Sequence, residues 1–357
     1  MSGRPVSIPA VDGARAGLLD REGALAKLMI APAILYIVAM IGVPFVLAVL
    51  YSLSDATTGD PSLKFVGLRN FKAALADPVF RLSLWNTVFF TLASQCIVVL
   101  LSRLLATALL KPFRGKWLVR FLIMLPWTAP ISLGTIGWLW MLDSIFSPID
   151  WVLRYVGLLG VPGALLGAGT NLYYLGIPGL AISSIILVDV WRILPLATVI
   201  QLAGLSSIPK DLLEAAEVDG ATPWQRTLKI TIPLTLPITS IAFLFGVVFT
   251  FTDLVVVYVL TRGGPVHTTQ VLSSWTFFKG IEGGDLAQGA AISLFMFPVL
   301  AAVAILIRGR RDGRRWFNAE RAKTRGPRGD LRSGGNLRLL RRVPFLLDGD
   351  RHVQDGP

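Results

Sequence analysis

Cysteine is nearly absent: Cys96 stands alone among 357 residues. One thiol closes no intramolecular disulfide and offers too few ligands for a thiolate metal site. Histidine is almost as scarce, with only His267 and His352. The chain holds no H-E-x-x-H and no G-x-S-x-G, so the usual metal and nucleophile constellations are missing. It also lacks a G-x-x-x-x-G-K-[ST] phosphate loop; Gly115-Lys116 has the wrong spacing and is followed by Trp117. These absences exclude an ATPase and argue against any other enzyme: no catalytic residue, no metal and no cofactor is assigned to this chain. Charge of both signs is sparse, at 16% against roughly a quarter in soluble domains.

What fills the chain instead is apolar: 54% of residues are hydrophobic and the mean hydropathy is +0.64. Six runs approach or exceed the roughly 18 to 20 residues that cross a hydrocarbon core as a helix: Leu28 to Tyr51, Thr87 to Leu110, Phe121 to Leu142, Leu180 to Leu202, Leu236 to Leu260 and Ala290 to Ile307. The expectation is an all-α membrane protein with six transmembrane helices. Residues 1–27 form an N-terminal segment, 28–307 the membrane domain and 308–357 a basic, disordered tail of Arg and Gly. No small-residue cleavage site follows the first run, unlike a cleaved secretory signal.

Lys and Arg set orientation, because they are retained on the cytoplasmic side. With the N-terminus inside, the inner segments carry 25 of them and the outer loops seven: Lys64, Arg69, Lys72, Arg81, Arg154, Arg262 and Lys279. Both termini and the 206–233 loop are therefore expected in the cytoplasm. The +12 net charge reads as a topology signal, not as a nucleic-acid surface, although the tail suits anionic lipid heads. In the first outer loop, "FVGLRNFKAALADPVF" suggests a short surface helix with Asn70 as its cap.

One polar loop is punctuated with unusual care. Pro209 opens a helix that runs to Val218, and Asp219-Gly220 ends it. Thr222 caps a second helix, Pro223 takes its first position, Gln225 completes a capping box, and Pro233 is expected to end it. Two short helices at an angle make a knob suited to a groove on another protein. Glu214-Ala215-Ala216, Gly220, Ile230, Ile232 and Pro233 match the EAA loop pattern, E-A-A, three residues, G, nine residues, I-x-[LI]-P. That pattern resembles the permease subunits of bacterial ATP-binding cassette importers. "FTDLVVVYVLTRGGPVHTTQVL", from Phe251 to Leu272, is similar to a segment of the carbohydrate-type permeases, the maltose and glycerol-phosphate group, and "FVGLRNF" points the same way.

The resemblance implies a subunit that forms half of a pathway for a sugar or sugar-like solute. Its implied partners are a second permease subunit in a heterodimer, an extracytoplasmic solute-binding protein, and a cytoplasmic ATPase dimer that binds ATP and Mg. It also implies a bacterial inner membrane and a loop (206–233) that acts as a coupling helix through Glu214, Ala215, Ala216, Gly220, Ile230 and Pro233. Two other readings stay open: an importer for polyamines, phosphate or another polar solute, against which "LTRGGP" argues, and a self-contained channel or ion-coupled transporter, which has no use for a docking loop.

Buried ionisable groups are costly in lipid, so those inside spans are the remaining candidates for a pathway or gate. Asp189 and Arg192, spaced i, i+3 in the fourth span, are placed to pair with each other. Asp253 falls well inside the fifth run and suits a gate or subunit interface. Arg103 is expected to snorkel toward the cytoplasm. Trp138, Trp140, Phe249 and Tyr258 offer faces that stack on a sugar ring, or serve as core and interface anchors.

Overall fold

The structure, a computed structural model, describes residues 22–303 and residue 305. Residues 1–21 and the basic tail fall outside the described residues, as do the last residues of the sixth run. Among the described residues the regular elements are helical, apart from one isolated antiparallel bridge between Ser54 and Phe65.

The first span joins α1 (Glu22–Ile37) to α2 (Val43–Ser52) through a π-turn at Val38–Gly42. The short helix expected between the first two spans is α3 (Arg69–Ala76), but Asn70 does not cap it. Leu68 occupies the cap position, and the buried Asn70 amide donates to the carbonyls of Ser52 at 3.0 Å and Ser54 at 2.7 Å. Asn70 therefore ties this loop to the end of the first span. Next, α4 (Pro78–Leu110) begins where the Asp77 carboxylate accepts the Val79 N–H at 2.8 Å, with Pro78 in the first turn.

The third apolar run is not one straight helix. It divides into α5 (Lys116–Thr128) and α6 (Ile131–Met141), bent by 97°. Pro130 has no N–H and forces the preceding residue out of helical geometry; Ala129 duly sits at φ −70, ψ 143. Hydropathy alone passes over that break. In the loop after α6 lies α7 (Pro148–Tyr155), before the long α8 (Pro178–Ser206).

The polar loop folds as α9 (Lys210–Val218) and α10 (Pro223–Arg226), and a π-turn at Thr227–Thr231 leads directly into α11 (Ile232–Phe251). Pro233 thus does not end the second loop helix. The π-turn absorbs it: the Ile232 N–H reaches back to the Thr227 carbonyl, and helical backbone runs from Pro223 to Phe251. The fifth span in turn stops earlier than its hydropathy suggests, breaking after Phe251 before α12 (Val255–Leu260). The chain closes with α13 (Leu272–Phe277), a π-turn at Phe278–Glu282 and α14 (Leu286–Leu294), whose apolar helix extends to Val303. Among the described residues five helices are long and apolar enough to span a membrane, and the bent α5–α6 pair makes six if it counts as one span.

The core is built where α8 packs along α4 and α11 packs on both. Phe90, Ile185, Val188 and Val256 lie buried in one cluster, and Val98, Val190, Ile193 and Ala197 form a second. The first span behaves differently. Its most apolar stretch buries none of its residues inside the chain.

Candidate functional site

The 206–233 loop owes its shape to local bonds. At the end of α9 the Gly220 N–H donates to the Glu217 carbonyl at 3.0 Å and the Ala221 N–H to the Ala216 carbonyl at 2.9 Å, the double bond of a Schellman ending. Gly220 sits at φ +77, where residues with a Cβ are disfavoured. Thr222 Oγ1 accepts the Gln225 N–H at 3.3 Å, and Gln225 Oε1 accepts the Thr222 N–H at 2.9 Å, so the expected capping box is present. An ion pair between Arg226 and Glu217, at 2.7 Å, bridges the two helices. Glu217 is largely exposed, so this contact sets an angle more than it adds stability.

The knob points residues outward that a free-standing loop has no reason to expose. Glu214 and Ala215 are exposed, Ala216 is buried, Ile230 is half-buried and Pro233 is exposed. Val218 is 88% exposed and Trp224 70%, with Leu212 and Leu228 beside them in the loop also open.

Within the membrane domain the charged residues are arranged differently from their spacing in sequence. Arg192 does not pair with Asp189; its guanidinium Nη1 donates to Asp253 Oδ2 across to the α11–α12 break. The spacing on α8 allowed one partner and the fold supplies another, 61 residues away. Asp253 lies at that break, not inside a continuous helix, and its Oδ1 accepts the Val256 N–H at 2.8 Å, closing the first turn of α12. Asp189 is fully buried. Its Oδ2 accepts from Thr250 Oγ1 at 2.9 Å, and Thr250 accepts in turn from Gln95 Nε2 at 2.8 Å. Among the described residues Asp189 Oδ1 accepts no hydrogen bond of good geometry, with the Ser94 hydroxyl a polar neighbour of this carboxylate. Beside Arg192, at the α5–α6 bend, is a cavity of about 10 Å³ lined also by Pro126, Pro130, Gly134 and Trp191. It has room for about one water.

A search restricted to charges misses this layer's neutral members. Along α4 the buried Ser83, Thr87, Thr91, Ser94, Gln95 and Ser102 fall at helical spacing, a polar stripe inside an apolar run. That periodicity is the signal that marks the face turned inward. Arg103, on the same helix, does not snorkel: it donates to Thr235 Oγ1 on α11 at 2.7 Å. Thr235 Oγ1 also donates to the Thr231 carbonyl at 2.7 Å, at the end of the π-turn.

The Arg262-to-Leu272 stretch folds as a tight loop on α4. The Asn86 amide donates to the carbonyls of Thr268 at 2.8 Å and Gln270 at 3.0 Å, and the Leu272 N–H donates to Thr87 Oγ1 at 2.8 Å. Of the four aromatic candidates, Trp138 lies edge-on to Trp191, Phe249 to Trp127 and Tyr258 to Phe277, with centroids 5.7, 5.5 and 5.2 Å apart. Trp140 is two-thirds exposed. In the loop between α6 and α8, buried Asp150 accepts from the Leu172 N–H at 2.9 Å and from the Tyr174 hydroxyl at 2.7 Å. Burial, then that carboxylate, pushes the Tyr174 phenol well above its usual range.

Residues 98–312 match the family of binding-protein-dependent transport system inner membrane components, a stretch that contains the whole capped loop. The trehalose/maltose transport system permease protein MalF of Thermococcus litoralis is 31% identical over 296 residues, which is 82% of this chain and 96% of that protein. The sulfoquinovosyl glycerol transport system permease protein SmoG of Agrobacterium fabrum is 30% identical over 80% of this chain and 89% of its own length. Among solved structures, a bacterial alginate ABC transporter, in complex with its alginate pentasaccharide-bound periplasmic protein, superposes with a TM-score of 0.67 at 19% identity, covering 82% of this chain and 95% of that one. The fold, the extent of the family match and the near full-length relatives agree: this chain belongs to the binding-protein-dependent transport system inner membrane component family, the membrane permeases of ABC importers.

Proposed function

We propose that this permease forms half of a translocation pathway for a sugar or sugar-like solute and is driven by a separate cytoplasmic ATPase seated on the 206–233 loop. The observation that carries the reading is the knob itself. Two helices are stiffened by a Schellman ending, a capping box and the Glu217–Arg226 bridge, and the second runs on into the membrane as α11. A rigid knob continuous with a spanning helix transmits displacement, whereas a mere connector needs none of these bonds. In this reading Glu214, Ala215, Ala216, Gly220, Ile230 and Pro233 shape the docking element, and exposed Val218 and Trp224 supply apolar contact.

The sugar assignment rests on the relatives, whose names specify trehalose/maltose, sulfoquinovosyl glycerol and sn-glycerol-3-phosphate transport. Two of these solutes are anionic, so a test panel spans neutral and acidic sugars. The remaining partners in this reading are a second permease subunit, a binding protein outside and ATP with Mg on the ATPase, in a bacterial cytoplasmic membrane with both termini inside.

The test is uptake in cells that express the whole system. Gly220→Val places a β-branched residue at φ +77, and Glu214→Lys reverses an exposed charge on the knob. Both variants are expected at parental amounts in the membrane, with uptake and binding-protein-stimulated ATP hydrolysis reduced at least tenfold, as about 1.4 kcal/mol of lost coupling requires. Parental uptake in both would reduce the loop to a connector.

A further inference from the structure

We infer that Arg192 is a two-position latch, held by Asp253 in this conformation and received by Asp189 when the α11–α12 break parts from α8. Three independent features meet at this guanidinium. Its partner Asp253 stands at a helix break, the place in a span where backbone can rearrange without unwinding a helix. Its second candidate partner, Asp189, lies three residues away on the same helix and is fully buried, and its Oδ1 accepts no hydrogen bond of good geometry, the Ser94 hydroxyl being the remaining polar neighbour of the carboxylate. The other break in the membrane domain, the 97° bend between α5 and α6, opens a water-sized cavity against Arg192.

The electrostatics then prescribe the exchange. A buried carboxylate oxygen with no donor is costly, and a guanidinium stripped of its counter-charge is costlier still. Two carboxylates compete for one guanidinium, and whichever state the molecule occupies leaves one of them under-satisfied. If the break swings away from α8, Arg192 meets Asp189 Oδ1 and its charge never stands alone in a low dielectric. Thr250 biases the balance. Its hydroxyl donates to Asp189 Oδ2, supported by Gln95 Nε2 behind it, so Asp189 tolerates the loss of Arg192 in the present state. Asp189 is thus a positioning residue for the gate, and a solute need not touch it.

The inference rests on the transport reading above, and the experiment separates the two. The complete transporter is reconstituted with its ATPase, and hydrolysis is measured without binding protein and with the binding protein loaded with maltose or glycerol 3-phosphate. Asp253→Asn removes the holding partner and is expected to raise the unstimulated rate about fivefold or more, the low end of ordinary coupling strengths. Asp189→Asn removes the receiving partner and is expected to lower both rates by a similar factor. Thr250→Val deletes the same Thr250–Asp189 hydrogen bond that Asp189→Asn weakens, yet leaves Asp189 hungrier for Arg192, so its unstimulated rate should rise. Opposite signs for these two variants are what a merely structural network does not produce. If Thr250→Val and Asp189→Asn shift the unstimulated rate in the same direction, or if Asp253→Asn leaves it unchanged, the latch is overturned. Should Asp189→Asn fail to assemble, the signs of Asp253→Asn and Thr250→Val decide alone. Absence of any hydrolysis in the parental complex counts against the transport reading instead.

Discussion

Gly220 and Gly263 share a backbone conformation, φ +77 and φ +81, but not an environment. A Cβ at Gly220 meets nothing within 4 Å, whereas one at Gly263 falls 2.2 Å from Cδ of Gln270, which is fully buried. Gly220→Ala therefore costs only the left-handed backbone term, about 1 kcal/mol. Gly263→Ala adds an overlap worth about 1–3 kcal/mol, because Gln270 has nowhere to go. Thermal unfolding of the two variants in detergent should rank them in that order, and equal shifts would contradict the packing of the Arg262-to-Leu272 loop. Sequence alone marks Gly220 as a helix ending and shows Gly263 only as part of the "LTRGGP" segment, since what crowds Gly263 is the side chain of a residue across the loop. The same holds for Arg192. Its spacing to Asp189 was legible, but its actual partner is brought near only by the packing of α8 against the break.

At the scale of the element, the loop was legible almost bond for bond because caps are local: Thr222, Pro223 and Gln225 carry their instructions within four residues. Thr222→Ala should remove about 1 kcal/mol from the start of α10. Hydrogen–deuterium exchange is expected to speed up through Pro223–Thr231 and to stay parental in Thr222→Ser. Uniform protection in the alanine variant would show that docking into α11, not the cap, holds the helix. What was not legible were the breaks. A hydropathy window averages over Pro130 and over Thr252–Leu254, so the third and fifth spans read as straight rods, while the structure bends one by 97° and interrupts the other. Pro233 misled in the opposite sense, since a proline that ordinarily ends a helix is here accommodated by the π-turn before it.

For the whole molecule, the helical class and a count of five spans, or six with the bent pair, followed from apolar run length, a constraint set by the bilayer more than by this particular fold. The unequal burial of those runs did not follow. The first span buries none of its most apolar residues within the chain, which leaves it to lipid or to the proposed second permease subunit. Orientation is testable with one labelled position. In a Cys96→Ala background, needed because Cys96 is exposed, Gln225→Cys should resist an impermeant thiol reagent in sealed cells and react once the membrane is opened. Strong labelling of intact cells would invert the topology. The π-turn at Thr227–Thr231 also governs rotational phase. Each helical residue advances the axis by about 100°, so a π-turn, which carries one extra residue, fixes the angle at which the knob leaves α11 relative to the side that bears Thr250. Relatives or chimeras that gain or lose a single residue there would turn the knob through about a quarter of a circle while the packing of α11 on α4 and α8 stays in register. Loop exchange between permeases is therefore an angular problem, in which two well-folded halves fit together only if their turns are counted alike.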